Sequence, residues 1–357
     1  MSKRIKGFDG LRAIAFLLVF VSHKWVVPVT DRLGSVAVWL FFVLSGFLIT
    51  RILADQKTRI EAGQAKGQDS LIGFYRSRAL RIFPAYYTLL AVLALFAASG
   101  HYNLESAGRQ WANWLFYSNI YIEAHGWKGD LGHLWSLAVE QQYYLLFAPL
   151  VFFVVPRSRL PALCVALLGV SIVAHIFFLI HGAPLVTFDV NSFINIGLFG
   201  MGGLAGLYAA RPLPRWMLND VAIVAVLVLF LSIASLPVPY FSEYGRVAGV
   251  LAACLLVQIT QRQESAVVAA LDVAPVRWLG VISYAAYLFH PVIHSDSILA
   301  FFGVATPAHR WTIVMDFAIT VVLATASWIL LEAPLMRLGR RRRTKAPQNN
   351  AQALQKG

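Results

Sequence analysis

The amino-acid sequence predicts an all-α integral membrane protein, a bundle of about ten transmembrane helices with both termini in the cytoplasm. Three observations predict this fold class. Of the 357 residues, 59% are hydrophobic and 13% are charged, whereas a soluble protein carries about 25% charged residues. Apolar runs of about 20 residues, long enough to cross the hydrocarbon core, recur along the chain. The basic residues collect on one side of these runs, which fixes their orientation.

The predicted spans follow one another with short connections in a single membrane domain over 1–336. They cover residues 12–30, 35–54, 82–100, 133–155, 160–181, 192–210, 217–236, 244–262, 278–301 and 310–332. We expect a polar cytoplasmic loop over 55–77 and a long external loop over 101–132. The external loop contains WANWLFYSNIY, which is too short to span and is expected to lie in the interface or to dip into it. Residues 337–357 are expected to form a basic, disordered cytoplasmic tail.

The Lys and Arg residues test this topology. With the N-terminus inside, 24 of the 30 Lys and Arg residues fall on the cytoplasmic side, as the positive-inside rule requires. The net charge of +13 is therefore explained by orientation in the bilayer, and we predict no nucleic-acid partner. Cys164 and Cys254 both lie within predicted spans, which argues against a disulfide framework.

The first apolar run, GFDGLRAIAFLLVFVSHKWVV, carries Arg12 and His23 on one helical face. Eleven helical residues return a side chain to within about 20° of its starting direction after a rise of about 16.5 Å. A cation at the cytoplasmic mouth and an imidazole near mid-membrane therefore point the same way. Inserting an ionisable residue that deep costs about 2.5–3.5 kcal/mol, so it usually faces protein or a water-filled cavity. A histidine satisfied by a neighbouring helix is the structural alternative.

A second polar face lies in GHLWSLAVEQQYYLLF, where His133, Ser136 and Glu140 share one side of a helix. Glu140 is expected about 10 Å deep from one boundary and His23 about 16 Å from the other. Within a core of about 30 Å, the two are predicted to meet. A carboxylate partner orients a histidine and raises its basicity, as a general base requires. A structural ion pair, a gate or a proton relay is the alternative.

The ninth span, WLGVISYAAYLFHPVI, places Tyr284, Tyr287 and His290 on one helical stripe. We expect these side chains to line the same cavity as substrate-binding residues, together with His133 and Ser136. Aromatic stripes more often serve packing, which is the alternative interpretation.

Arg12, Arg78 and Arg81 are predicted to cluster at the cytoplasmic mouths of their helices. A guanidinium presents paired N–H donors that match phosphate oxygens. A ligand with phosphates at one end and a reactive group about 15–20 Å away would reach from Arg12 to His23, and coenzyme A thioesters have that shape. Ordinary positive-inside anchoring is the alternative.

Six stretches of the chain also resemble a known family when taken in order. They are GFDGLRAIAFLLVFVSH, FFVLSGFLIT, FYRSRALRIFPAYY, HLWSLAVEQQYYLLFAP, ISYAAYLFH and LLEAPLMR. Over residues 7–337 they resemble acyltransferase family 3, the bacterial integral-membrane enzymes that O-acylate surface and secreted glycans. The resemblance implies a multi-pass protein of the bacterial inner membrane. It also implies transfer of an acyl group, usually acetyl from cytoplasmic acetyl-CoA, to a hydroxyl of an extracytoplasmic or lipid-linked carbohydrate.

The resemblance carries over to individual residues. The residues that match the family's functional positions are Arg12, His23, Arg78, Arg81 and Glu140. The chain departs from the family at Gln141, where members often have a second acid, and at Trp39, where they often have Asp. The first departure concentrates the catalytic prediction on Glu140, and the second bears on packing.

The predicted mechanism follows from these positions. The three arginines bind the CoA phosphates, and His23, oriented by Glu140, deprotonates the acceptor hydroxyl. Transfer through an acetylated His23 is an alternative. No metal is predicted, because the histidines lie on separate helices without ligand spacing. If His23 acts in its neutral form, activity should fall on acidification.

Two other function classes remain open at this stage. One is a proton-coupled polytopic transporter with His23 and Glu140 as the relay. The other is a non-catalytic assembly or sensing protein. The acceptor glycan and the length of the acyl chain are not specified by these patterns.

Overall fold

The fold is all-helical in the computed structural model, which describes residues 4–25, 28–98, 111–127, 129, 131–236 and 244–345. In chain order the α-helices are α1 (Phe8–Lys24), α2 (Pro28–Glu61), α3 (Gly67–Ala98), α4 (Trp111–Trp114), α5 (Ser118–His125), α6 (Trp135–Pro149), α7 (Leu160–Ile180), α8 (Leu185–Val190), α9 (Ser192–Tyr208), α10 (Asp220–Ser232), α11 (Tyr244–Gln261), α12 (Ala266–Leu271), α13 (Ala274–Phe289), α14 (Ser295–Phe301), α15 (His309–Ser327) and α16 (Ala333–Lys345). A π-helical turn, Leu150–Val154, extends α6, and another, Trp328–Glu332, joins α15 to α16.

Seven helical stretches of the described chain are long and apolar enough to cross a membrane. They are Arg32–Glu61, Gly67–Ala97, Gly132–Val154, Arg157–Ile180, Leu185–Tyr208, Tyr244–Gln261 and His309–Gly339. An eighth results if Ala274–Val292 and Ser295–Phe301, which are bent by 57°, form one broken span. The predicted multi-pass helical class is confirmed, whereas the count of ten is not. The first predicted span forms a helix of 17 residues, and the seventh is also short. The orientation of the termini stays a prediction.

The polar segments contain more helix than the sequence pattern indicates. Most of the loop predicted over 55–77 is helical, because α2 continues to Glu61 and α3 begins at Gly67. The Lys, Gln, Glu and Arg residues there are good helix formers that extend a span beyond the membrane. The predicted tail begins as helix as far as Lys345, and 346–357 lie outside the described residues. The aromatic segment forms α4 and α5, of four and eight residues, which are too short to span.

Helix α1 packs between α2 and α13, and this position sets the geometry of the candidate site. The approach of α13 is so close that a Cβ at Gly280 would lie 1.8 Å from the carbonyl oxygen of Asp9. Only glycine permits such contact between backbones. On the other side of α2, a Cβ at Gly202 of α9 would lie 1.9 Å from the carbonyl oxygen of Val43. Neighbouring helices therefore hold α1 and α2 firmly, and α1 presents Arg12 and His23 near its two ends.

Candidate active site

The three arginines predicted to bind phosphate line one cavity of about 190 Å³, which we name the arginine cavity after Arg12, Arg78 and Arg81. The structure therefore brings the three side chains together, although Arg78 and Arg81 lie well inside α3 and not at its end. Arg12 donates from Nη1 to the Asp9 carboxylate at 2.8 Å. The Nε of Arg78 is buried and has no hydrogen-bond partner among the described residues. A buried N–H without an acceptor costs about 1–3 kcal/mol, so this cavity suits a ligand that brings negatively charged oxygens.

Glu140 belongs to the same cavity. Its Oε1 accepts hydrogen bonds from the Ser45 hydroxyl and from the Tyr144 hydroxyl, the latter at 2.5 Å. Tyr144 follows Glu140 by one helical turn, so α6 presents both side chains on one face. Arg78 interacts electrostatically with both Glu140 and Tyr144. Glu140 therefore organises the arginine side of the site.

His23 lines a second, larger cavity of about 1010 Å³, which we name the histidine cavity after His23, His133, His294 and His309. Its other polar and aromatic lining residues include Lys24, Arg32, Trp127, Trp135, Asp189, Asp296 and Asp316. In contrast to the arginine cavity, carboxylates outnumber the arginine and lysine side chains here. Within the described ranges, no group of three or more His, Cys, Asp or Glu side chains could hold a metal ion.

The two cavities meet at Val38 and Tyr287, the residues that line both of them. The Tyr287 hydroxyl donates to the His133 carbonyl oxygen at 2.8 Å and lies 2.7 Å from the Ser136 Oγ. These contacts join α13 to the beginning of α6. Tyr287, which is hydrogen-bonded, and Val38 therefore lie at the boundary between a cationic compartment and the compartment that contains His23.

The predicted pair between His23 and Glu140 is wrong. Glu140 bonds Ser45 and Tyr144 in the arginine cavity, whereas the Nδ1 of His23 lies 3.3 Å from the Nε2 of His290. The prediction compared only the depths of the two residues along the membrane normal. It took no account of lateral separation between α1 and α6, where Tyr287 is inserted.

The five predicted substrate-binding residues divide between the cavities, with one exception. His133 lines the histidine cavity, Ser136 and Tyr284 line the arginine cavity, and Tyr287 lines both. His290 lines neither cavity; its side chain is fully buried behind His23. The helical stripe therefore faces the site along most of its length, but its last residue supports the site from behind.

A buried ion pair beside His23 was not predicted from the sequence. Lys24 lies 2.8 Å from the Asp316 carboxylate, with the two side chains 9% and 8% exposed. Lys24 also donates to the carbonyl oxygen of Ile293, and Asp316 accepts the backbone N–H of Ser295 at 2.7 Å. The available signal was an aspartate within an apolar run, which usually indicates a partner or a function. The spacing of Tyr144 from Glu140 was a similar signal for that contact.

The departure from the family pattern at Trp39 has a packing explanation, as predicted. Trp39 is buried, and a Cβ at Gly245 would lie 3.1 Å from its ring. The indole therefore fills the space between α2 and α11.

Comparison with known proteins identifies the family. Residues 5–333 match the family described as an acyltransferase domain. Over 94% of its length, the chain is 24% identical to the peptidoglycan O-acetyltransferase OatA of Listeria monocytogenes. Over the same share it is 28% identical to the putative peptidoglycan O-acetyltransferase YrhL of Bacillus subtilis. It is 25% identical, again over 94%, to the O-acetyltransferase OatA of Staphylococcus aureus.

The chain spans 56%, 55% and 58% of the lengths of these three relatives, a little more than half of each. No solved structure matches the chain. Because the family match covers nearly the whole sequence, the chain belongs to acyltransferase family 3.

Proposed function

We propose that the chain is a membrane O-acyltransferase that moves an acyl group, most simply acetyl, from cytoplasmic acyl-CoA to a hydroxyl of an extracytoplasmic or lipid-linked carbohydrate. One observation carries the proposal: two cavities of different charge meet at Tyr287 and Val38. A transferase of this kind needs a cationic compartment for its donor, a second compartment for its acceptor, and a base at their junction. The relatives' names as O-acetyltransferases support the same reaction.

The arginine cavity is the proposed donor site. Arg12, Arg78 and Arg81 supply N–H donors for the CoA phosphates, and the buried Nε of Arg78 lacks a protein acceptor in the described chain. Arg12 and His23 are eleven residues apart on α1, a rise of about 16.5 Å. A pantetheine arm of about that length would bring the thioester from the arginines to the level of His23. We propose acetyl-CoA as the donor for this geometry.

The histidine cavity is the proposed acceptor site. Its volume of about 1010 Å³ lies at the upper end of the range for small-molecule sites, about 300–1,000 Å³. Carboxylates of Asp189 and Asp296 can accept hydrogen bonds from sugar hydroxyls, and Trp127 and Trp135 offer flat apolar faces. Two of the relatives are named for peptidoglycan, so peptidoglycan fragments are the first acceptors to test.

The hydrogen bonds of His23 support a role as the general base. Its Nδ1 lies 2.9 Å from the Val19 carbonyl oxygen, which can only accept, so Nδ1 carries the proton of the neutral ring and Nε2 carries the lone pair. Nε2 removes the proton of the acceptor hydroxyl as that oxygen attacks the thioester carbonyl. The new C–O bond forms, the C–S bond breaks, and the leaving thiolate takes the proton from His23. In the acyl-enzyme alternative, Nε2 itself attacks the carbonyl.

For Glu140 we propose a role different from the one predicted. Because it bonds Ser45 and Tyr144 and interacts with Arg78, we assign it to the donor site, where it positions those side chains. The transporter alternative relied on direct proton exchange between His23 and Glu140. That contact is replaced by the contacts of Glu140 within the arginine cavity, so no observation favours the relay.

The experiment that tests the proposal compares the full chain in nanodiscs with its His23→Gln variant. Labelled acetyl-CoA is supplied with and without peptidoglycan fragments, and both binding and product formation are measured. We expect His23→Gln to bind acetyl-CoA normally but to lose about 10²–10⁴ in turnover, the usual contribution of a positioned general base. His181→Gln, at an exposed histidine that lines neither cavity, is the matched control and should retain activity.

Four outcomes would contradict the proposal or part of it. If the wild-type protein did not bind acetyl-CoA, the assignment of the arginine cavity as the donor site would be wrong. If His23→Gln turned over at the wild-type rate, the assignment of His23 as the general base would be wrong. Label that stays covalently on the protein without acceptor, and then moves to acceptor, would replace direct transfer by the acyl-enzyme route. Proton-coupled flux across vesicles without acetyl-CoA would favour the transporter instead.

A further inference from the structure

We propose that His290 is a positioning residue for His23: it accepts a hydrogen bond from the Nδ1–H of His23 and thereby fixes the opposite nitrogen, Nε2, as the base facing the histidine cavity. The inference rests on the proposed function of His23. His290 lies directly after α13, where Pro291 follows and the chain bends. Since proline lacks an N–H and ends the helix, the ring of His290 lies at the break, against α1.

The tautomer of His290 follows from its backbone contact. Its Nδ1 lies 2.9 Å from the carbonyl oxygen of Tyr287. Because a carbonyl oxygen only accepts, Nδ1 of His290 must carry a hydrogen. In the neutral ring the remaining nitrogen, Nε2, then carries a lone pair and acts as an acceptor. That nitrogen is the one that faces His23.

The tautomer of His23 is the matching one. Nδ1 of His23 carries a hydrogen, since it lies 2.9 Å from the Val19 carbonyl oxygen. The same Nδ1 lies 3.3 Å from Nε2 of His290, and the two rings meet edge to face with centroids 5.0 Å apart. One N–H of His23 thus faces the Val19 carbonyl oxygen and Nε2 of His290, with the Ser22 Oγ farther away at 3.4 Å. These hydrogen positions on the two rings are mutually compatible. A second proton on His290 would place an N–H against an N–H and break the contact.

The surroundings of His290 exclude direct contact with a substrate. The side chain is fully buried. The rings of Phe16 and Phe20, on the same face of α1 as His23, lie 6.1 and 6.2 Å from it between centroids. The predicted substrate-binding role is therefore replaced by one in which His290 acts through His23.

The titratable and charged groups that face His290 come from three elements. His23 and Lys24 face it from α1, His133 from the turn before α6, and Tyr287 from its own helix. Lys24 is paired with Asp316 of α15. During the reaction His23 becomes positively charged, and the lone pair of His290 is the acceptor that stabilises this form. Loss of that acceptor should make protonation of His23 harder.

Two substitutions separate this role from simple packing. His290→Phe keeps an aromatic ring in the space but removes the acceptor, whereas the amide oxygen of His290→Gln can replace Nε2 as an acceptor. If His290 only filled space, Phe would be the milder change. If it positions His23, Gln would be the milder change. His175→Phe replaces another buried histidine, on α7, and controls for the effect of removing an imidazole from the interior.

The experiment measures acetyl transfer by the full chain in nanodiscs for wild type, His290→Phe, His290→Gln and His175→Phe. We expect His290→Phe to lower kcat on the order of 10- to 100-fold, by analogy with the loss of the hydrogen-bond partner of a metal-bound histidine. KM for acetyl-CoA should stay within about twofold, since the arginine cavity is not touched. The loss of activity on acidification, the acid limb of the pH profile, should occur at lower pH in His290→Phe than in wild type. His290→Gln should retain most of kcat and the wild-type pH limb.

Each other outcome has a defined meaning. Equal activity of wild type and His290→Phe, or a phenylalanine variant more active than the glutamine variant, would overturn the positioning role. An unchanged pH limb in a slow but folded His290→Phe would also overturn it. These results leave the proposed function intact as long as His23→Gln is inactive. Full turnover by His23→Gln would instead contradict the proposed function itself, independently of His290.

Discussion

The arginine and histidine cavities meet at Tyr287 but differ in the balance of their charged side chains. In the histidine cavity, carboxylates of Asp189, Asp296 and Asp316 accompany the cations Lys24 and Arg32. In the arginine cavity, three arginines accompany the single carboxylate of Glu140. The cations of the histidine cavity are therefore balanced by carboxylates, whereas the arginine cavity has an excess of positive charge.

The pairing of individual groups shows the same difference. Lys24 is locked by Asp316 and by the carbonyl of Ile293, so this cation contributes to structure. Arg78 keeps a buried Nε without an acceptor in the described chain, so this nitrogen is available for a ligand. Paired charges line the proposed acceptor cavity, and under-compensated charges are the ones suited to bind a polyanionic donor.

The largest effect is expected on stability, from breaking the ion pair between Lys24 and Asp316. Lys24→Met leaves the Asp316 carboxylate buried without its cation, which typically costs about 3–5 kcal/mol. We expect a clear fall in the thermal unfolding temperature of the protein in detergent, followed by scanning calorimetry or dye-based melting. The double variant Lys24→Met with Asp316→Leu removes both charges and should recover most of the loss. Equal stability of Lys24→Met and wild type would show that this pair does not hold the fold.

The next largest effect is expected in the arginine cavity, on the binding of acetyl-CoA. Arg78→Gln removes a charged donor of the proposed CoA site, and hydrogen bonds to charged groups contribute about 1.5–3 kcal/mol. We therefore expect KM for acetyl-CoA to rise roughly 10- to 100-fold, with stability unchanged or improved because a crowded cation is removed. Arg76→Gln is the matched control, since Arg76 is exposed on the same helix and lines neither cavity. A similar rise in both variants would indicate a general effect of surface charge.

Much of this arrangement could be predicted from the sequence because helical periodicity is local. The eleven-residue spacing places Arg12 and His23 at opposite ends of α1, and the structure puts them in different cavities. The sequence predicts that Arg12, Arg78 and Arg81 cluster at neighbouring helix mouths. They do line one cavity, but Arg78 and Arg81 lie well inside α3, which begins at Gly67. The multi-pass class follows from composition and run length.

The rest depends on lateral packing, which a single sequence does not encode in readable form. Depth alone brought His23 and Glu140 together, but the helix positions insert Tyr287 between their cavities. His290 shares a stripe with Tyr284 and Tyr287, yet the chain bends at Pro291 and the ring lies behind His23. Both errors have one cause: the pattern along a helix does not state which neighbour each face contacts.

A smaller effect is expected from Glu140→Gln, and the pH profile of this variant tests whether Glu140 acts independently of His23. Glu140→Gln keeps an oxygen that can accept from Ser45 and Tyr144 but removes the negative charge near Arg78. We expect KM for acetyl-CoA to change by no more than about tenfold, equivalent to about 1.4 kcal/mol. The acid limb of activity should stay at the wild-type pH, because Glu140 does not contact His23. A shifted acid limb would restore the predicted coupling between the two residues.

The smallest effect is expected at the junction itself. Tyr287→Phe removes the hydroxyl that bonds the His133 carbonyl, but the Ser136 hydroxyl also donates to that carbonyl, at 3.2 Å. Because an acceptor is not left unsatisfied, the loss should be about 0.5–1 kcal/mol. With acetyl-CoA in one cavity and water or glycan in the other, a weakened partition should raise hydrolysis relative to transfer by about two- to fivefold. The ratio of labelled acetate to labelled glycan measures this directly. Tyr284→Phe, whose hydroxyl bonds Ile82 within the arginine side, should leave the ratio unchanged. A fall in transfer beyond 100-fold for Tyr287→Phe would mean that this hydroxyl takes part in the chemistry rather than in the separation of the two compartments.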